Sequence, residues 1–180
     1  MSNKNNATKV VTGRVRLSYI NVFEPRASMP GQEPKYSVCL LIPKSDTATV
    51  GKINAAIEAA KQAGAATWGG KVPPGVKSPL RDGDAEREGA EYKGHWFINA
   101  NSKQKPGVVD QAVNPIMDQS EIYSGCYGRV SLNFYAYSMN GNKGVGAGLQ
   151  NVQKVAEGEP LSGRSRAEDD FTAVEEDFLS

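Results

Sequence analysis

The chain has 180 residues, 39% of them hydrophobic and 23% charged, a balance that suits one packed domain and excludes a wholly disordered chain. Its 21 Lys and Arg and 20 Asp and Glu give a formal net charge of +1, yet the signs are segregated: residues 167–180 carry six carboxylates and no base, leaving +7 on residues 1–166. Charge asymmetry of this kind points to nucleic acid, while no apolar run reaches the ~18 residues that cross a bilayer.

Along the chain the pattern is mainly β with one helix. Val11, Gly13, Val15 and Leu17 alternate with Thr12, Arg14, Arg16 and Ser18, the period of a half-buried strand. Pro25, Pro30, Gly31 and Pro34 mark a loop, and residues 35–42 form a second strand closed by Pro43. Ser45 and Asp46 are N-cap residues for a helix with an apolar stripe of Val50, Ile53, Ile57 and Ala60 and a stop at Gly64. Residues 64–94, broken by seven Gly and Pro from Gly69 to Gly83, read as one long loop, the kind that tends to be functional. A strand resumes at residues 96–101, and residues 102–125 are turn-rich. Residues 129–137 alternate most clearly, with Val130, Leu132, Phe134 and Ala136 inward, and a turn at Asn140, Gly141 and Asn142 joins them to residues 143–155 as a hairpin.

About five strands, a helix after an early strand pair, and strand glycines at Gly13, Gly128, Gly144, Gly146 and Gly148 suit the tight coiling of a small oligonucleotide-binding (OB) barrel with long loop insertions. A β-sandwich with one helix has the same periodicity. The polar, Asn-rich residues 1–9 hold no apolar signal core, so a cytoplasmic protein is expected, with Cys39 and Cys126 as reduced core thiols.

No metal or cofactor is expected. His95 is alone, no Walker loop occurs, and Gly144-Val145-Gly146-Ala147-Gly148 lacks the dinucleotide spacing. Asp82, Asp84, Glu86, Glu88 and Glu91 crowd one segment, and two-metal nucleases cluster carboxylates in this way. Arg81 and Arg87 interleave with them, so a solvated charged loop is the default, and a metal-dependent nuclease the alternative. An RNA-binding or assembly protein is a third reading.

The positive signal is basic and aromatic residues on shared faces. Arg14 and Arg16 face away from the core on the first strand, as do Arg129, Tyr135 and Tyr137 on the clearest one. The long loop adds Trp68, Lys71, Lys77, Arg81 and Tyr92, and Lys103 and Lys105 flank a turn. Cations for phosphates and rings on which bases stack are the two ingredients of sequence-independent single-strand binding. These twelve residues are the candidate DNA contacts, and no catalytic residue is assigned.

Several blocks carry a resemblance: Tyr36-Ser-Val-Cys-Leu-Leu-Ile-Pro-Lys-Ser-Asp, Trp68-Gly-Gly-Lys, Pro79-Leu-Arg-Asp-Gly-Asp, Gly94-His-Trp-Phe-Ile-Asn-Ala, Lys105-Pro-Gly-Val-Val-Asp, Tyr123-Ser-Gly-Cys-Tyr and Asn151-Val-Gln-Lys. In this order they resemble a phage and prophage family of OB-fold single-stranded DNA-binding proteins, over about residues 9–171. The resemblance implies single-stranded DNA as ligand, a role in replication or recombination, and a place in the cytoplasm of the bacterial host. The expected organisation is a disordered start (1–8), an OB-fold domain (9–166) and a flexible acidic tail (167–180). That tail, with Asp169, Asp170, Phe171, Glu175, Glu176, Asp177, Phe178 and Leu179, is similar to those of replicative single-stranded DNA-binding proteins. It is expected to compete with DNA and to recruit replication or recombination partners. It ends Asp177-Phe178-Leu179-Ser180, where the bacterial tails end in Pro-Phe.

Overall fold

Two hydrophobic periods, one of two residues and one of 3.6, account for nearly all the regular structure. A computed structural model describes residues 7–27 and 29–161; residues 1–6, Ser28 and 162–180, which include the acidic tail and all its candidate residues, lie outside the described residues. The strands are β1 (Lys9–Val11), β2 (Val15–Arg26), β3 (Lys35–Pro43), β4 (Arg81–Asp82), β5 (His95–Ser102), β6 (Gly107–Val109), β7 (Tyr127–Met139) and β8 (Asn142–Ala156). The helices are α1 (Thr47–Ala63) and the four-residue α2 (Gly83–Glu86), with three 3-10 turns at Ala65–Trp68, Ala90–Tyr92 and Gln119–Glu121. No helix among the described residues is long and apolar enough to cross a membrane.

The strands form one sheet in the order β1-β7-β2-β3-β5-β8-β6, and an added β7–β8 pairing closes β2, β3, β5, β8 and β7 into a ring. All ring pairings are antiparallel except β5–β8, which are parallel and meet at Asn101 and Gly148. Alternate residues point into the ring: Val15 and Leu17, Val38, Leu40 and Ile42, Ile98 and Ala100, and Val130, Leu132 and Phe134 are all buried. Each of these side chains other than Ala100 contributes roughly 1.5–3 kcal/mol by leaving water. Ile53, Ala56, Ile57 and Ala60 place α1 against this core, chiefly along β7.

The local signals act as their chemistry requires. Asp46 caps α1 by accepting from the Thr49 backbone N–H at 3.2 Å. At Gly64, where the helix ends, an added Cβ would lie 2.1 Å from the Ala136 Cβ, so only glycine lets the helix terminus approach β7 so closely. Between β7 and β8, Asn140 and Gly141 both take positive φ (51° and 82°), as a two-residue turn of a right-twisted hairpin demands.

Two expectations are corrected. The single strand expected over residues 11–17 is two strands, broken because Thr12 and Gly13 are engaged sideways. The Gly13 N–H donates to the Thr49 hydroxyl on α1 at 3.0 Å, and the buried Thr12 hydroxyl accepts from the Val130 N–H at 3.1 Å. The break reverses the phase, so Val10 is buried and Val11 exposed. Where the sequence points to one helix, α2 is a second, within a long segment that returns β4 to the β5 edge rather than running free.

Candidate nucleic-acid interface

The outer face of β3 and β5 is divided in two. At one end Cys39, Leu41, Phe97 and Tyr92 form a second small core with Leu161 packed against it. Tyr92 meets Phe97 edge to face at 5.3 Å, and Arg81 and Arg87 lie over the Phe97 ring at 5.1 and 4.8 Å. Burial pushes the Cys39 thiol up to about 11, so it remains neutral and unreactive at physiological pH. The other end is left open.

Two clefts occupy that open end. The first, of about 660 Å³, has Ser37, Cys39, Asn99 and Asn101 as its floor, Tyr19 and Met139 among its walls, and Arg26, Lys35 and Lys103 among its cations. Glu33 also lines it and pairs with Lys103 at 3.2 Å. The second, of about 690 Å³, is lined by Lys77, Arg81, Tyr135, Tyr137 and Gly146, and it shares Asn99 and Asn101 with the first. The two are therefore one groove crossing the ring from β2 over β3 and β5 to β8 and β7.

The glycines of β8 shape its far half. In the β7–β8 register Tyr135 faces Gly146 and Tyr137 faces Gly144. A Cβ on Gly146 would lie 2.7 Å from the Tyr135 ring, and one on Gly144 would lie 2.7 Å from the Tyr137 hydroxyl. The glycine run is thus a bed on which two tyrosine rings lie across the neighbouring strand. Tyr135 keeps 43% of its surface exposed, while partial burial raises its phenol pKa, so the ring is neutral. A flat neutral ring flanked by cations offers a π-face to a base and charge to a phosphate.

Of the twelve candidate residues, five line this groove: Lys77, Arg81, Lys103, Tyr135 and Tyr137. Lys77 is anchored by backbone hydrogen bonds with Lys143 and Val145, so the long loop is stitched to β8 there. Trp68 and Tyr92 are corrected: they are 7% and 6% exposed and present no face for stacking. Trp68 instead donates its indole N–H to the Tyr137 carbonyl at 2.8 Å, which fixes the loop to β7 beside the groove. Arg16 donates from its guanidinium to the Gly125 and Glu159 carbonyls at 3.2 and 2.6 Å and clamps the outgoing chain. Arg14 lies over the Tyr127 ring at 4.4 Å, and Arg129 donates to the Thr12 carbonyl at 3.1 Å. Six residues of strand separate Arg129 from Tyr135, roughly 20 Å, so this arginine cluster is a different surface. Lys71 is exposed on the loop, and Lys105 borders a separate hollow with Phe23 and Pro106.

Tyr19, Arg26, Lys35, Asn99 and Asn101 line the groove and were not among the candidates. Asn99 and Asn101 were readable: they alternate with Ile98 and Ala100, and asparagine is depleted from strands unless its outward face has another use.

Three of the five clustered carboxylates, Asp82, Asp84 and Glu86, are paired internally. Lys44 donates to Asp82 at 2.6 Å and to Asp84 at 2.7 Å, and Arg81 pairs with Glu86 at 2.6 Å. Hydrogen bonds from Lys44 hold both aspartates below the usual carboxylate range, and those from Arg81 do the same for Glu86. Among the described residues no group of three or more His, Cys, Asp or Glu is placed to hold a metal ion.

Protein p50 of Acyrthosiphon pisum secondary endosymbiont phage 1 is 34% identical, the alignment covering 95% of this chain and 98% of that protein. The single-stranded DNA-binding protein of bacteriophage Enc34, solved in complex with single-stranded DNA, is 28% identical with a TM-score of 0.77 over 88% of this chain and 94% of that one. The single-stranded DNA-binding protein gp2.5 of bacteriophage T7 shares the fold at 17% identity, with a TM-score of 0.63 over 92% and 99% of the chains. The model of the family described as Enterobacter phage Enc34, ssDNA-binding protein, matches residues 8–179, and with that match across nearly its whole length the chain belongs to this phage single-stranded DNA-binding family.

Proposed function

We propose that this protein is a non-enzymatic, sequence-independent binder of single-stranded DNA that acts in phage replication or recombination inside the host cytoplasm. The observation that carries the reading is the groove: tyrosine rings laid on a glycine bed, a polar floor from Asn99 and Asn101, and cations along both halves. Its place on the ring supports an OB barrel. Numbered within the five-stranded ring, β3 and β5 are the second and third strands, and the 27–34 and 140–141 connections join strands one to two and four to five. Those are the face and loops by which OB barrels take oligonucleotides. The complex of the Enc34 protein with single-stranded DNA gives the same reading from a relative.

On this reading residues 9–166 are the binding domain and 167–180 a competitor and recruiter, with Phe178 and Leu179 as apolar anchors. Titration of labelled single-stranded DNA, duplex DNA and RNA over a salt series is the test. Neutralising four to six phosphates predicts a slope of log K on log salt of roughly −3 to −4 for single strands. Equal affinity for duplex DNA at every salt, or a flat salt response, overturns the proposal. Tighter binding of RNA would move the ligand class, and loss of substrate with magnesium or manganese would make the protein a nuclease.

A further inference from the structure

The groove has an aromatic wall at each end, and only the Tyr135 end shows in the alternation of the sequence. At the other end stands Tyr19, whose φ of +47° puts a bulky non-glycine residue in the left-handed region. A conformation of this kind costs on the order of 1–3 kcal/mol and persists only where the surroundings over-determine it. They do so here. The Tyr19 N–H donates to the Ser124 hydroxyl at 3.0 Å, while Leu17 exchanges backbone hydrogen bonds with Gly125 and Cys126 at 2.7 and 2.9 Å.

The strain has a geometric cause. Ser18 pairs with Cys39 and Asn21 with Ser37, so three steps on β2 face two on β3 and Tyr19 lies in a bulge. A bulge re-aims a side chain, and bulges are over-represented beside functional sites. The re-aimed ring is 69% exposed, so core packing does not explain a tyrosine at a position where glycine or asparagine would be unstrained. It stands instead at the first cleft, which Met139, Arg26 and Lys35 also line.

We infer that Tyr19 is a second base-stacking platform, and that single-stranded DNA crosses the ring between Tyr135 and Tyr19. The inference rests on the reading given under Proposed function and extends it to the path of the strand. From β8, under Tyr135, to β2 is three strand spacings, roughly 14 Å, or about four nucleotides at stacked spacing. Bases between the two rings then lie over Ser37, Asn99 and Asn101, with phosphates within reach of Lys35, Lys77 and Lys103.

The test uses the full chain with Tyr19→Gly, Tyr19→Phe and Tyr19→Trp, titrated with an oligothymidylate of about 12 nucleotides, enough to span both platforms. Glycine removes the ring and relieves the backbone, so Tyr19→Gly should keep or raise the thermal midpoint while weakening binding roughly 5- to 150-fold, the usual range for one stacked base. Tyr19→Phe should bind as the parent does, and the Tyr19→Trp indole emission should be quenched by the oligonucleotide. Tyr19→Gly binding within twofold of a parent that itself prefers single strands overturns the inference and leaves the proposed function standing. So does Tyr19→Phe failing as badly as Tyr19→Gly. A parent without single-strand preference removes both.

Discussion

Tyr135 and Gly146 act as one unit, because the ring lies where a side chain at Gly146 would be. Tyr135→Ala should therefore cost about 1–3 kcal/mol of single-strand affinity with the fold intact. Gly146→Ala should weaken binding as well, although the ring is still present, because the new methyl lifts it from its bed; equilibrium titration of both variants measures each effect. Trp68 is the contrasting case. Trp68→Phe leaves the Tyr137 carbonyl without its indole partner, which should cost roughly 1–3 kcal/mol of stability. The melting point should fall by a few degrees per kcal/mol in a protein of this size, with DNA affinity little changed once the protein is folded. Tyr135 and Tyr137 were legible because strand alternation assigns every residue a face. Trp68 and Tyr92 were not, since a loop has no period and only the assembled fold says which way a ring turns. Tyr19 was hidden for a third reason: a bulge moves one residue off the alternation, and its cause lies in pairings with residues about twenty positions away and at Ser124.

Among the elements, α1 and the β7–β8 hairpin could be read in advance because each is specified locally, by a cap, a stripe, and a turn with the residues it needs. The break between β1 and β2 could not, because Thr49 and Val130 make it from elsewhere in the chain. β6 was equally hidden, being three residues long and parallel to β8, too short for any period to register. The solvated charged loop expected at Asp82 to Glu91 is exposed over residues 84–88, and it also forms a knot tying β4 and α2 to Lys44 at the end of β3. A pH dependence follows. Asp82 and Asp84 have depressed carboxyl values when folded, so their stabilisation is fully present above the unfolded carboxylate range and is lost as pH falls through the lower folded values. Lys44, raised by the same pair, supports the knot until pH climbs past the ordinary lysine range. Replacing both aspartates with Asn should lower the melting temperature at pH 7. The gap from the parent should begin to narrow below about pH 4 and close only as pH falls through the lower folded values. A gap that persists unchanged at pH 3 would mean the charges are not its source, and DNA should remain uncut by parent and variant alike.

At the scale of the whole molecule, the charge segregation visible in the sequence acquires a geometry. Arg16 holds the Glu159 carbonyl, the Leu161 N–H donates to the Ser124 carbonyl at 2.8 Å, and Leu161 packs against the small core of Cys39, Leu41, Phe97 and Tyr92. Cys39 of that core also lines the first cleft, so Leu161, the last described residue, packs on the face of the ring that carries the groove. Glu168, the first of the six terminal carboxylates, is seven residues beyond Leu161, a reach of at most roughly 25 Å. Tethering at that range corresponds to an effective concentration of roughly millimolar. Removing residues 167–180 should then tighten single-strand binding at low salt and reduce discrimination against duplex DNA, since competition from the carboxylates disappears. The gain should shrink above about 0.3 M salt, where the screening length falls to roughly 6 Å or less. Substituting Arg16→Ala should act in the same direction but less strongly, because it releases the clamp at Glu159 without removing any carboxylate. Parallel titrations of the full chain, the truncation and Arg16→Ala at two salt concentrations measure all three effects. Superimposable curves for full and truncated chains at low salt would show that the acidic segment never occupies the groove, and its role would then be recruitment alone.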